Sequence, residues 1–319
     1  MKPRILITGG SGFIGSALVE ALSNVPSELV VSSRKKIPDA FNVQQVTVGE
    51  INGKTDWCEV LEGCDCVIHC AARVHIMNDS VSDPLALFRE VNTVGTLALA
   101  RQAVKAGVKR FVFLSSIKVN AETTKANSPC REEVRQAPTD PYGLSKYEAE
   151  QGLLRIAQET ALEIVIIRSP LVYGPGVKGN FASMAKWVKK GTPLPLGAIN
   201  NKRSLIAIDN LVSFIVHCIA CHEVANEVFL ISDGEDVSTT ELLKKVASAY
   251  GVKSCLLPVP VKLMGLVLEL LGKGALAERL FGNLQVDCSK ACNRLGWKPV
   301  ITMDEQLRQM VAMEKGGSF

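Results

Sequence analysis

The 319-residue sequence predicts the α/β class: a doubly wound parallel sheet joined to a smaller, mainly helical C-terminal domain. Three observations carry this. Short apolar runs alternate with helically spaced segments through the first half, as parallel β-α-β units do. The runs are near-continuous in Val, Ile and Leu, as in strands covered on both faces. A glycine-rich turn separates the first run from the first helical segment.

The elements follow in order. "RILITGG" is a strand and "SGFIGSALVEALSN" a helix; "ELVVSS", "VQQVTVGE" and "CDCVIHCAA" are strands. "DPLALFREVNTVGTLALARQAVKAG" is helical and "RFVFLSS" a strand; helical "DPYGLSKYEAEQGLLRIAQET" leads to "EIVIIRS". After Pro170 the texture changes. "YGPGVKGN" and "GTPLPLGAINNKR" are rich in Gly, Pro and Asn and read as pocket-building loops. We expect a nucleotide-binding domain over 1–170, with about 205–232 returning to it, and a substrate domain from 171–204 and 233–319.

Hydrophobic content of 47% and charged content of 21% suit a globular chain. A net charge of +4, scattered and without a long basic run, gives no support to nucleic-acid binding. No apolar signal region opens the chain and no eighteen-residue apolar stretch occurs, so a cytoplasmic protein without a spanning segment is expected. "VKLMGLVLELLGKGALAERL", interrupted by Lys262, Glu269 and Lys273, reads as a partly buried helical stretch of the smaller domain; placement on a membrane surface is the alternative. The ten cysteines read as free thiols in a reducing compartment. "GCDCVIHCAA" is strand-like rather than metal-binding, and no metal site is expected. "CIACH" matches a haem-attachment pattern, but it lies inside a helical apolar periodicity, so its cysteines read as packing residues.

"ILITGGSGFIGSALVEAL" sets Gly9, Gly12 and Gly15, with Phe13 and Ile14 between the last two, where the first strand turns into the first helix. Glycine permits the tight turn and close approach of a pyrophosphate, which the helix N-terminus then favours. Strand before and helix after are the context that makes this a Rossmann-type dinucleotide site. An NAD-selective site usually carries an acid at the end of the second strand. Here "VVSSRKK" offers Ser33, Arg34 and Lys35 to a 2′-phosphate, so NADP(H) is preferred, with NAD(H) the alternative.

"DPYGLSKYEAE" places Tyr142 and Lys146 on one face of a helix. A free phenol, with pKa about 10, is a poor base at neutral pH; an adjacent ammonium is expected to lower that value. The tuned phenol can exchange a proton with a carbonyl or carbinol oxygen. Ser115 and Ser116 stand at the end of "RFVFLSS", the carboxyl edge where open α/β sheets bind ligands, and a hydroxyl there can donate to the reacting oxygen.

With "TGGSGFIG", "DCVIHCAA", "VNTVGT", "LSSIKVN", "YGLSK", "RSPLVYGPG", "RSLIAIDNL" and "LGWKP", nearly the whole chain resembles an extended short-chain dehydrogenase/reductase of the NAD-dependent epimerase/dehydratase family, which acts on nucleotide sugars. The resemblance implies Ser116 as the catalytic hydroxyl, Tyr142 as acid/base and Lys146 as a further contact to the nicotinamide ribose. It implies Glu50 and Ile51 near adenine. Ala71, Ala72 and Asn92 would line the cofactor path, with Ser115 and Pro170 also on the cofactor. Asn180, Leu194 and Arg203 would fall in a UDP-sugar pocket, Arg203 as the diphosphate anchor. It further implies a homodimer.

"LPLGAINNKRSLIAIDNL" and "FLISDGEDVST" resemble a bacterial subgroup that includes UDP-N-acetylquinovosamine dehydrogenase, a 4-ketoreductase of lipopolysaccharide O-antigen sugar synthesis. Dehydratases of the family carry an Asp-Glu pair where this chain has Ile117 and Lys118, and the usual Val-Tyr-Gly reads Val119, Asn120, Ala121. Elimination is therefore disfavoured. The expected reaction is reduction of a UDP-4-keto-6-deoxy-N-acetylhexosamine at C4. A UDP-GlcNAc or UDP-glucose 4-epimerase with tightly held NAD is the first alternative, and a non-catalytic NADP(H) sensor the second.

Overall fold

The computed structural model describes residues 2–34, 43–74 and 83–316. Seven parallel strands form the main sheet: β1 (Arg4–Thr8), β2 (Glu28–Ser33), β3 (Gln44–Thr47), β4 (Cys66–His69), β5 (Arg110–Ser116), β6 (Glu163–Ser169) and, later in the chain, β9 (Glu227–Leu230). Their order is β3-β2-β1-β4-β5-β6-β9, so the direction of winding reverses between β1 and β4. In a sheet of this kind the crevice at the carboxyl ends of those two strands is where a ligand lies. Between β6 and β9 the chain makes β7 (Leu171–Tyr173) and β8 (Arg203–Ala207); β10 (Asp236–Val237) completes a separate small sheet, β10-β8-β7.

Helices cover both faces of the main sheet. Ile5, Ile7, Val31, Val112, Val165 and Ile167 point to one face, packed with α1 (Phe13–Ser23) and α7 (Ile208–Ala220). Leu6, Val30, Phe111, Phe113 and Ile166 point to the other, with α2 (Cys58–Leu61), α4 (Thr96–Lys105) and α5 (Pro141–Glu159). Adjacent residues of one strand thus enter different cores, which is why the strands read as unbroken apolar runs. The short α3 (Pro84–Phe88) runs through a π-helical turn, Arg89–Gly95, into α4.

The smaller unit packs α6 (Gly179–Lys189), α8 (Thr239–Tyr250) and α12 (Met303–Gly316) on the small sheet. Helices α9 (Val261–Leu270) and α10 (Gly274–Phe281) form a hairpin at its edge. One assignment changes: α11 (Ser289–Leu295) and Trp297, expected with the substrate domain, return to the main sheet. There Ala291 and Trp297 join the core of β9 and α7, with Trp297 set edge-on to Phe214. Cys218, of the haem-like pattern, lies in that same core. No helix among the described residues is long and apolar enough to cross a membrane.

At the end of β4, His69 lies wholly buried between two hydroxyls, with Nδ1 2.6 Å from Thr8 Oγ1 and Nε2 2.9 Å from Thr96 Oγ1. Its ring stacks on Phe113. Burial, aided by the charge of Lys146, pulls its pKa down to about 3. The unfolded chain takes up this proton below its ordinary value of 6.5, while the native one does not until about pH 3. Stability from this group is therefore complete above pH 6.5 and is lost on acidification, by about 3 kcal/mol at pH 4. Urea unfolding of His69→Gln between pH 7 and 4 is expected to show a correspondingly shallower pH slope. Equal slopes for variant and wild type would sink the assignment.

Candidate active site

The first part of the site is built from backbone. Gly9 holds a left-handed φ of +74°, and its amide and that of Gly10 donate to Ser32 O. A Cβ on Gly9 would stand 2.8 Å from Ala71 N, and one on Gly15 2.2 Å from Gly9 O. The glycines are thus required by the close packing of β1, α1 and the end of β4. A Cβ on Gly12 would meet only Gly9 O, at 3.1 Å, so this residue faces open space. Gly12 begins α1 with no side-chain cap, which leaves the first amides, from Phe13 and Ile14 onward, for a ligand. This cradle at the reversal of the sheet fits a dinucleotide pyrophosphate.

The cofactor-binding residues expected from sequence divide on inspection. Ala71 and Ala72 follow β4 directly, and Ala71 N donates to Thr8 Oγ1 beside Gly9. Pro170 is buried at the carboxyl end of β6. Ser33 is buried at the end of β2 and Arg34 is exposed there; Lys35 lies outside the described residues. Glu50 is exposed, while Ile51 packs against Gly95.

Two of these side chains have partners inside the protein. Asn92 is fully buried. Its Oδ1 accepts from Arg73 N, and its Nδ2 donates to Arg73 O and to Ser145 Oγ. The side chain therefore ties the loop after β4 to α5 and supports the wall of the crevice. Ser115 Oγ donates at 2.5 Å to Glu150 Oε1 in the interior, so only the main chain of Ser115 remains at the sheet edge. Successive β5 side chains point to opposite faces, which turns Ser116 the other way.

Ser116 ends β5 and opens a 3₁₀ turn over Ile117–Val119, where its Oγ accepts from Lys118 N at 3.2 Å. The start of α5 is pressed against this turn: a Cβ on Gly143 would lie 2.6 Å from Lys118 O. Asp140 caps α5 through Gly143 N at 2.8 Å and accepts from Lys118 Nζ at 2.9 Å. The sequence reading missed that second bond, because no local pattern pairs residues 118 and 140. Capping, glycine and ion pair together fix the first turn of α5, which carries Tyr142, against the turn that follows Ser116. Tyr142 is half-buried, with its ring edge-on to Phe88.

One turn further along, Lys146 is buried. Its Nζ donates to Leu114 O at 2.9 Å and lies 4.5 Å from the centre of the Phe113 ring. Burial lowers its pKa to about 8, while burial and then Asp140 push Tyr142 up to about 12. The expected lowering of the phenol by Lys146 is thus not met. The ammonium is directed to the sheet edge, at Leu114 O, and burial penalises the phenolate form of Tyr142.

Behind these groups lies a buried pair. Arg168, at the end of β6, meets Glu150 in a two-pronged contact, with Nη2 2.6 Å from Oε2. Arg168 Nη1 also donates to Asn120 Oδ1 and Glu132 O. Tyr142, Lys146 and Glu150 follow at four-residue intervals on one face of α5, so the pair anchors the helix that carries the site.

The three substrate-pocket residues are dispersed over the smaller unit. Arg203, half-buried at the start of β8, donates to Gly282 O at 3.1 Å. Asn180 is exposed on the first turn of α6. Leu194 instead packs in the core of the smaller unit, its backbone paired with Cys255 and Leu257, so its side chain is not a pocket surface.

Comparison with known proteins shows the family and the fold. The model of the NAD dependent epimerase/dehydratase family matches residues 5–232. A UDP-glucose 4-epimerase of Vibrio cholerae is 48% identical over 310 residues, covering 97% of this chain and 94% of its own. The structure of a UDP-glucose 4-epimerase from Thermotoga maritima with UDP-glucose superposes with a TM-score of 0.76 at 25% identity, covering 98% of this chain and 99% of the other. A UDP-glucuronic acid 4-epimerase of Bacillus cereus in complex with NAD has a TM-score of 0.78 at 21% identity, covering 98% and 99%.

Proposed function

Because the chain belongs to the NAD dependent epimerase/dehydratase family, we propose that it is a nucleotide-sugar 4-epimerase that inverts C4 of a UDP-hexose or UDP-N-acetylhexosamine. The observation that carries the reading is the 48% identity, end to end, with a UDP-glucose 4-epimerase. That finding favours epimerisation over the C4 ketoreduction expected from sequence.

The residues take these roles. The main-chain cradle at Gly9, Gly12 and Gly15 holds the dinucleotide pyrophosphate. Tyr142 takes the proton of the C4 hydroxyl and returns it to the oxygen after the sugar presents its other face. Ser116 donates to the same oxygen while its charge changes. Lys146 supplies positive charge beneath the site, and Arg203 receives the substrate diphosphate. The bound nicotinamide supplies reversible hydride transfer at C4.

A second reading, the NADPH-dependent C4 reductase, has one observation in its favour: the carboxyl end of β2 carries Ser32, Ser33 and an exposed Arg34 rather than a carboxylate. One experiment separates the two. Incubated with UDP-glucose or UDP-GlcNAc and no added reductant, the protein is expected to form the C4 epimer with no net change in nicotinamide absorbance. Stoichiometric NADPH consumption on a UDP-4-keto-6-deoxy-HexNAc, without epimer from either UDP-sugar, would establish the reductase instead.

A further inference from the structure

The α9–α10 hairpin is apolar on the side turned away from the protein. At 3.6 residues per turn, Leu263, Leu266, Val267, Leu270 and Leu271 fall within an arc of about 140°. Leu270 is 79% and Leu271 63% exposed, and the other three are each about half exposed. Leu276 of α10 is also exposed. The inward arc is apolar too, with Met264 buried and Val261 and Leu268 partly so. A helix apolar over all but one narrow edge belongs in a core or in contact with lipid, yet nothing among the described residues covers the outer stripe.

We propose that this hairpin seats the protein on the surface of an anionic lipid bilayer, lying in the plane of the headgroups. Ten residues of α9 extend about 15 Å, half of a hydrocarbon core, so the helix lies in the interface and does not cross it. The stripe is wholly aliphatic, and Lys262 and Glu269 border one edge. From 253 to 280 the chain carries exposed Lys253, Lys262, Lys273 and Arg279 against Glu269 and Glu278, an excess of two positive charges facing an anionic surface. A second copy of the chain is the weaker occupant. Six aliphatic side chains without an aromatic anchor fall short of the twenty to thirty residues per side of a standard protein interface.

The hairpin is tied to the substrate side of the molecule. Leu280 O accepts from Thr239 Oγ1 and Asn201 Nδ2, and Gly282 O from Asn201 Nδ2 and Arg203 Nη1. A bilayer under α9 thus lies beside the end of the protein that carries Arg203. The proposal concerns where the protein sits and holds whichever sugar it turns over.

Co-sedimentation with vesicles tests it. Full-length protein is expected to pellet with vesicles of phosphatidylcholine and phosphatidylglycerol in equal parts, and far less with phosphatidylcholine alone. Leu266→Asp/Leu270→Asp, at exposed positions, is expected to lower the partition coefficient by at least about tenfold, with melting temperature and turnover unchanged. Lys262→Glu is expected to weaken binding several-fold on the anionic vesicles only. Wild-type protein that stays in the supernatant with both vesicles, or a double variant that pellets equally, overturns the proposal. So does a double variant that only converts a dimer to a monomer in light scattering, which would assign the face to a second copy.

Discussion

Replacing Tyr142 by phenylalanine is expected to lower turnover by roughly 10² to 10⁴-fold while dinucleotide affinity stays near wild type. The substitution keeps the ring, and with it the edge-on contact to Phe88, and removes only the hydroxyl. The half-buried side chain has no other large role in packing. In the wild-type enzyme, kcat/KM, which follows the groups of the free enzyme, is expected to rise with pH below about 8. The phenolate fraction grows in that range while Lys146, with its pKa near 8, still carries its proton. Above it Lys146 neutralises and the profile bends. In the variant the rising limb should vanish. Steady-state kinetics from pH 6 to 9, with fluorescence titration of the dinucleotide, read out both. A variant with full turnover would remove the phenol from the chemistry.

Arg168→Ala is expected to destabilise the fold by about 3–5 kcal/mol, because it strands the Glu150 carboxylate where no water reaches. It also deprives Asn120 Oδ1 and Glu132 O of their donor. The double replacement Glu150→Gln/Arg168→Met should recover much of the loss, since a neutral pair carries no stranded charge. Urea unfolding of the two variants and wild type measures this, and a loss below about 1 kcal/mol for Arg168→Ala would show that the pair does not anchor α5. Because Ser115 and α5 share this carboxylate, reduced turnover in the folded fraction is expected to accompany the loss.

What the sequence made legible was local. The glycine spacing, the strand-end serines and the four-residue step from Tyr142 to Lys146 each depend on neighbours within one turn. The structure places them as expected along a parallel sheet. What it did not make legible was where buried polar side chains spend their bonds. Ser115 meets a glutamate 35 residues away, and Lys118 an aspartate 22 away. Neither separation leaves a periodic trace. Asn92 has the residue type expected of a cofactor contact, but its amide is engaged by Arg73 and Ser145. The sign of the Tyr142 shift failed for a related reason: sequence proximity gives the charge of Lys146 but not the desolvation that opposes it. Trp297 illustrates the limit for packing, since only the folded chain brings it back to Phe214.

The glycine turn after β1 has a practical corollary for coenzyme engineering. Because Gly9 and Gly15 exclude any side chain, neither of these two positions offers a handle for redesign. A redesign of preference is better sought at the far end of β2, around Ser33 and Arg34, leaving Gly9 and Gly15 untouched.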